Sequence, residues 1–194
     1  MKKTIKVLFV CFAILISYSS CFAAISNAEK KQQIIALYNT NKLDEAYTMI
    51  SSMTEDERDY ELWYILGNIS QDYGNEENAI FFLQKATILK PEFDKAHYNL
   101  GNIYLKENKY NSAINEYKLA IKYKKDFPYS YYNMGCAYLG QKQYRDAKNT
   151  FLNAIKLNGN EPDFYYNLAL SYKNLGEKEK AQKYLDIYNK MKEI

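Results

Sequence analysis

Apolar and small side chains recur along most of the chain at spacings typical of α-helices. Tyr98, Gly101, Tyr104 and Leu105 follow one another at intervals of one to three residues and share one helix face. After Asn108, a second face of the same kind is marked by Ala113, Ile114, Tyr117, Ala120 and Ile121. This stretch therefore predicts two antiparallel helices joined by a tight turn.

The same two-helix pattern returns every 34 residues. Three series keep this spacing: Gly67, Gly101, Gly135 and Ala169; Ala79, Ala113, Ala147 and Ala181; Tyr64, Tyr98, Tyr132 and Tyr166. Three independent series with one period indicate a repeat architecture. Pro91, Pro128 and Pro162 fall between the units, where a helix is expected to end.

The turn inside each unit needs a residue that tolerates a positive φ. Gly74, Asn108 and Gly176 suit this position in the first, second and fourth units. Lys142 does not suit it in the third unit, although Gly140 lies just upstream. The sequence thus predicts the same turn throughout, with one unfavourable residue.

Three segments carry a family resemblance: HYNLGNIY (97–104), YYNMGCAY (131–138) and YYNLALSY (165–172). They resemble the tetratricopeptide repeat, with Ser70 and Ala169 departing from its usual Tyr and Gly. The resemblance implies an all-α, right-handed helix-turn-helix solenoid. Its four units would cover residues 60–93, 94–127, 128–161 and 162–194.

Residues 24–59 look like a degenerate fifth unit at the N-terminal end. Asn41 could occupy its turn, and Ala46 precedes Ala79 by 33 residues rather than 34. The first helix of this segment lacks the repeat signature. Because terminal repeats are often atypical, we interpret the segment as an N-terminal cap.

The first 23 residues have the pattern of a secretory signal peptide. Lys2, Lys3 and Lys6 precede the apolar run VLFVCFAILI (7–16), and small residues around Ala23 suit cleavage. The run is shorter than the roughly 20 residues of a membrane span. We therefore expect an exported protein, periplasmic or secreted.

Two alternatives remain for this N-terminal segment. Tyr18-Ser19-Ser20-Cys21 resembles a bacterial lipobox, which would make the protein an envelope lipoprotein held at the membrane through Cys21. The segment could also stay uncleaved as an anchor. Once the signal is lost, Cys136 remains alone, so no disulfide within the chain is expected.

Charge and residue content argue against several functions. The chain has 26 basic and 23 acidic residues, and three of the lysines lie in the predicted signal, so the remainder is net neutral. Nucleic acid is therefore not the expected partner, since phosphate binding needs a positive face. His97 is the sole histidine and takes an aromatic packing position, so we predict no catalytic residue, cofactor or metal site.

The candidate binding residues are polar and aromatic side chains on the first helices. In the family these helices line a concave groove. Tyrosine supplies contact area and a hydroxyl, and asparagine both donates and accepts hydrogen bonds. The predicted groove residues are Tyr64, Asn68, Tyr98, Asn99, Asn102, Tyr132, Asn133, Tyr166 and Asn167.

The expected function is a non-catalytic adaptor that holds a protein or peptide in this groove. The same residues are close to the family consensus, so they could instead mark the fold alone. A glycan-binding envelope module is one alternative function. Another is a structural subunit that uses the convex face or the last helix, with weak self-association near Ile187, Met191 and Ile194.

Overall fold

The structure is a computed structural model that describes residues 26–193. The predicted signal peptide, Cys11, Cys21 and Ile194 lie outside the described residues. The described residues form ten α-helices and one short 3-10 helix: α1 at 26–39, α2 Leu43–Ser51, the 3-10 helix Glu55–Glu57, α3 Tyr60–Asp72, α4 Glu76–Leu89, α5 Asp94–Lys106, α6 Tyr110–Tyr123, α7 Pro128–Gly140, α8 Tyr144–Leu157, α9 Pro162–Asn174 and α10 Lys178–Lys192.

The helices pack in consecutive pairs that stack along the chain. Helices α3 and α4, α5 and α6, α7 and α8, and α9 and α10 form the pairs, and the second helix of each pair contacts the first helix of the next. This arrangement confirms the predicted all-α helix-turn-helix solenoid.

Glycines allow the two helices of each of the first three units to cross closely. A Cβ added to Gly101 would lie 2.6 Å from the Tyr117 ring, and one added to Gly135 would lie 2.6 Å from the Phe151 ring. Neither distance is sterically tolerable, so these positions require glycine. Glycine at these positions therefore admits a large side chain from the facing helix.

The turn residues adopt the positive φ that the sequence predicts. The φ angles are 59° for Asn41, 73° for Gly74, 59° for Asn108 and 80° for Gly176. Lys142 takes the same conformation at 60°, although lysine does not favour it. Gly140 does not provide the turn; it is the last residue of α7, where the Tyr110 ring leaves no room for a side chain.

Helices α1 and α2 lie ahead of the first unit and bury Ile34, Ala46 and Ile50. The Arg58 guanidinium donates to the carbonyl oxygens of Ile50 at 3.2 Å and Met53 at 2.7 Å. The Arg58 side chain thereby ties the segment that follows α2 to the end of that helix. Across residues 26–193, no helix combines the length and apolar character needed to cross a membrane.

Candidate functional site

The predicted groove tyrosines occupy equivalent points on α3, α5, α7 and α9, and three of them pack between units. The distances between ring centroids are 5.0 Å for Tyr64–Phe93, 5.1 Å for Tyr98–Phe127 and 4.7 Å for Tyr132–Phe164. These three tyrosines are half-buried. Tyr166, in the last unit, packs on Tyr188 of its own unit at 5.2 Å and is 46% exposed.

The asparagines join each unit to the one before it. Asn133 donates from Nδ2 to the Tyr98 hydroxyl at 3.2 Å and to Asn102 Oδ1 at 2.8 Å. One unit earlier, Asn99 Nδ2 lies 2.7 Å from Asn68 Oδ1 and 3.5 Å from the Tyr64 hydroxyl. We call this set the Tyr–Asn ladder: Tyr64, Asn68, Asn99, Tyr98, Asn102, Asn133, Tyr132, Cys136 and Asn167.

The third rung of the Tyr–Asn ladder is formed by Tyr132, Cys136 and Asn167. It differs from the two earlier rungs because Cys136 occupies the repeat position that asparagine occupies in them. Asn167 Nδ2 donates to the Tyr132 hydroxyl at 2.8 Å, but its second acceptor is the Cys136 sulfur at 3.9 Å. A thiol is a weak acceptor. Burial raises the pKa of Cys136 to about 11, so it remains a neutral thiol at physiological pH.

Two tyrosines that sequence reasoning missed extend the ladder. Tyr38, in the N-terminal cap, accepts from Asn68 Nδ2 at 3.0 Å. Tyr117 donates its hydroxyl hydrogen to Asn102 Oδ1 at 2.8 Å, and burial raises its pKa far above the ordinary tyrosine value. Tyr117 occupies an aromatic position of the repeat signature, but nothing in that signature signalled a polar role for its hydroxyl.

The structure therefore places eight of the nine predicted residues in three hydrogen-bonded clusters that follow one another at intervals of one unit, and leaves Tyr166 beyond the last cluster. The asparagine Nδ2 groups bond to neighbouring units and hold the solenoid together. The Tyr64, Tyr98 and Tyr132 oxygens each accept from an asparagine, which leaves the O–H groups of Tyr64 and Tyr98 able to donate elsewhere. The Tyr132 hydroxyl also bonds to Cys136.

His97 is buried at 6% exposure and makes contacts on both ring nitrogens. Nδ1 lies 2.7 Å from Glu116 Oε2, and Nε2 lies 2.8 Å from the Pro91 carbonyl oxygen. Burial alone would lower the pKa of His97, but the hydrogen bonds to Glu116 and Pro91 raise it overall. His97 also stacks on Tyr123, which fits a packing role.

Metal ligands are not clustered in the described part of the chain. Between residues 26 and 193, no group of three or more His, Cys, Asp or Glu side chains could hold a metal ion.

Sequence profiles of the tetratricopeptide repeat match most of the solenoid. Three profiles described as "Tetratricopeptide repeat" match residues 60–93, 128–161 and 150–183, and one described as "TPR repeat" matches 101–142. The chain belongs to the tetratricopeptide repeat family. A search of curated proteins gave no match to this sequence.

Solved structures of MamA proteins have a similar fold. MamA MSR-1 superimposes with a TM-score of 0.76 at 21% identity, covering 87% of this chain and 98% of that one. MamA AMB-1 gives 0.78 at 19%, covering 87% and 93%. MamA from Desulfovibrio magneticus RS-1 gives 0.77 at 18%, covering 86% and 95%. At these identities the likeness concerns the fold.

Family membership defines the general class of function. Tetratricopeptide repeat proteins are typically non-catalytic scaffolds that bind other proteins. This chain is a protein-binding repeat adaptor in that general sense.

Proposed function

We propose that the protein binds a segment of a partner protein along the inner face of its first helices. The observation that carries the proposal is the Tyr–Asn ladder. Asn99, Asn133 and Asn167 fix the hydroxyls of three tyrosines at intervals of one unit. The Tyr64 and Tyr98 hydroxyls keep their hydrogens for carbonyls of the partner, since their oxygens act as acceptors, and the Tyr132 hydroxyl would exchange its bond to Cys136 for such a carbonyl.

The ladder also lowers the cost of binding. A tyrosine whose ring packs on Phe127 or Phe164 and whose oxygen accepts from an asparagine has already lost most of its side-chain freedom. Ordering a mobile side chain at an interface costs about 0.5–1.5 kcal/mol. A row of preordered donors avoids that cost each time a partner carbonyl is bound.

Among the four groove tyrosines, Tyr166 exposes the largest fraction of its surface to a partner. Tyr166 is 46% exposed and lies at the end of the tyrosine row in the described residues. The glycan alternative gains no support from the other three rings, because each packs against a phenylalanine at the start of the following first helix or directly before it. A sugar would need an open ring face for stacking.

The test removes the hydroxyls and keeps the rings. A bait with Tyr64, Tyr98 and Tyr132 changed to Phe should lose a protein partner that the unchanged bait captures from envelope extract. Alanine is unsuitable, since it would remove the packing between units. The matched control changes Tyr73, Tyr110 and Tyr123 to Phe, because these hydroxyls lie outside the Tyr–Asn ladder.

The outcome of the capture experiment shows whether the partner binds the groove or the convex face. Loss of the partner with the groove variant, and retention with the control, supports the groove. Equal capture by both variants rejects it and favours the convex face. Circular dichroism of each bait establishes that the helices are intact before capture is compared.

We also propose that the protein is exported, on the strength of its first 23 residues. The basic start, apolar run and small residues before Ala24 support this proposal. Mass spectrometry of the mature chain should give a start at Ala24. A mature chain that starts at Cys21 with attached fatty acid would show a lipoprotein instead, and a start at Met1 would reject cleavage.

A further inference from the structure

The last unit leaves an apolar cavity open at the C-terminal end of the solenoid. Helices α9 and α10 form its walls, and its volume is about 580 Å³. The apolar part of the surface, which we call the end face, consists of Tyr166, Ala169, Leu170, Ala181 and Leu185. Lys173, Lys178 and Gln182 complete the lining.

The same surface is covered by a helix in every earlier unit. The residues 34 positions before Ala181 and Leu185 are Ala147 and Phe151, and both are completely buried in a cluster with Leu168 of α9. Helix α7 covers α6 in the same way, and α5 covers α4. By contrast, Ala181 and Leu185 are only half-buried, and no residue of α10 is buried. The end face therefore has the shape of a helix-binding surface that the chain uses three times.

Charge at the edge of the end face is reversed relative to the first unit. Glu76, the first residue of α4, pairs with Lys106 at the end of the covering helix α5. The equivalent first residue of α10 is Lys178. Lys173 also adds positive charge where the second and third units have Leu105 and Leu139. A helix covering this face would meet lysines at the point where α5 meets a glutamate.

We propose that the end face docks an amphipathic α-helix of another protein, with Asp or Glu in its last turn. The apolar side of that helix takes the place that Ala96, Leu100 and Ile103 of α5 take on the first unit. Its carboxylates pair with Lys178 and Lys173. The end face has the same shape as the surfaces that bind a helix at the three internal interfaces. The two lysines favour the orientation in which the acidic last turn of the docked helix lies beside them.

A second copy of this chain fits the end face poorly. Two end faces brought together would place Lys173 and Lys178 near the same lysines of the other copy. In a head-to-tail contact, the outer surface of α1 in one copy would lie against the end face of the other. That outer surface is lined by Glu29, Gln32 and Gln33. Gln32 and Gln33 would then face Leu170 and Leu185, and burying their amides without partners costs free energy.

The test uses a peptide with the sequence of residues 94–106 and a hydrocarbon staple between positions 95 and 102. Thirteen residues are too few for a stable isolated helix, so the staple is needed. A second peptide carries Lys106→Glu. Fluorescence anisotropy with residues 24–194, which include the whole solenoid, should show the Glu peptide binding about two- to five-fold more tightly, as an exposed ion pair allows.

Three variants locate the binding. Lys178→Glu should reverse the preference between the two peptides. Leu170→Glu should abolish binding of both, and exposed Gln182→Glu should weaken the Glu peptide without disturbing the helices. Gln33→Glu, at the opposite end of the solenoid, is the control and should change nothing.

Equal affinity for the two peptides, or binding that survives Leu170→Glu, would overturn the proposal. So would a dimer in analytical ultracentrifugation that disappears with Leu170→Glu, because the occupant would then be a second copy. A reversed preference with Lys178→Glu would establish an acidic helix as the ligand. Tyr166 borders both surfaces, but Lys178 and Gln182 of α10 lie outside the predicted groove, so their variants test the end face separately from the proposed function.

Discussion

The two ends of the solenoid are built differently. At the N-terminal end, Glu29, Gln33 and Ala36 of α1 stand 33 residues before Leu62, Leu66 and Ile69 of α3. Those three residues of α3 are buried, whereas the outer positions of α1 are polar or small. At the C-terminal end the equivalent surface keeps apolar residues such as Leu185.

The difference between the two outer surfaces shows which end unit lacks a polar cap. Each unit is stabilised mainly by its neighbours, so an end unit with an apolar outer surface loses half of its contacts. Helix α1 solves this problem with polar side chains, and Arg58 secures the end of α2. Helix α10 presents apolar Ala181 and Leu185 beside polar Lys178 and Gln182 on its outer surface, and its main contact within the described residues is α9.

The strongest test of this comparison changes the same residue type at one repeat position. Leu83 and Leu185 are 102 residues apart, or three units, but Leu83 is completely buried and Leu185 is not. Leu83→Ala should lower the free energy of unfolding by about 3 kcal/mol, because it leaves a cavity. Leu185→Ala should cost about 1 kcal/mol, since little area is returned to water.

Urea denaturation followed by circular dichroism measures both values. Equal losses for the two leucine variants would show that the C-terminal unit is as well packed as the first. Amide hydrogen exchange supplies an independent check, with α10 expected to exchange faster than α4.

The Tyr–Asn ladder also differs between the middle and the C-terminal end of the solenoid, and the expected effect on stability is smaller. Asn133→Ala removes bonds to Asn102 and Tyr98 and leaves the Asn102 amide oxygen with one partner fewer. We expect a loss of about 1–2 kcal/mol. Asn167→Ala should cost less, about 1 kcal/mol, because one of its acceptors is the Cys136 sulfur at 3.9 Å.

Urea unfolding of the two asparagine variants provides the measurement. Asn99→Ala is the control, since Asn99 bonds to Asn68 and Tyr64 much as Asn133 bonds to its own partners. A larger loss for Asn167→Ala than for Asn133→Ala would contradict the view that the last interface is the weaker one.

Much of the fold follows from the sequence because periodicity and packing depend on the same residues. The 34-residue spacing of Gly67, Gly101 and Gly135 identifies the helix crossings, where each glycine meets a large side chain. The positive φ of Gly74 and Asn108 follows from the steric freedom of these residues. Both features are local, so one sequence suffices to predict them.

The candidate site was less predictable because its bonds join different units. Asn133 and Asn102 are recognisable as groove residues, but the bond between them depends on how α5 and α7 stack. The hydroxyl of Tyr117 joins the ladder only because its ring crosses Gly101. Such contacts span 15 to 35 residues and leave no periodic signal of their own.

Repairing the third rung should strengthen the C-terminal half. Cys136→Asn would give Asn167 the amide acceptor that Asn133 has in Asn102. We expect the free energy of unfolding to rise by about 0.5–1 kcal/mol, the net value of one such bond. Cys136→Ser is the control, because its shorter side chain reaches less far. A loss of stability with Cys136→Asn would mean that the half-buried pocket does not accept the larger amide.

The turn of the third unit offers the smallest gain. Lys142 has a φ of 60°, while Asn41 and Asn108 hold the equivalent turns nearer the N-terminus at 59°. Asparagine is several times more common than most residues in this conformation. Lys142→Asn should therefore raise the free energy of unfolding by about 0.5 kcal/mol, whereas Lys142→Val should lower it, because a β-branched side chain clashes there. Thermal unfolding of both variants measures the difference, and a lower melting temperature for Lys142→Asn than for the unchanged chain would show that the lysine contributes a contact that outweighs its backbone strain.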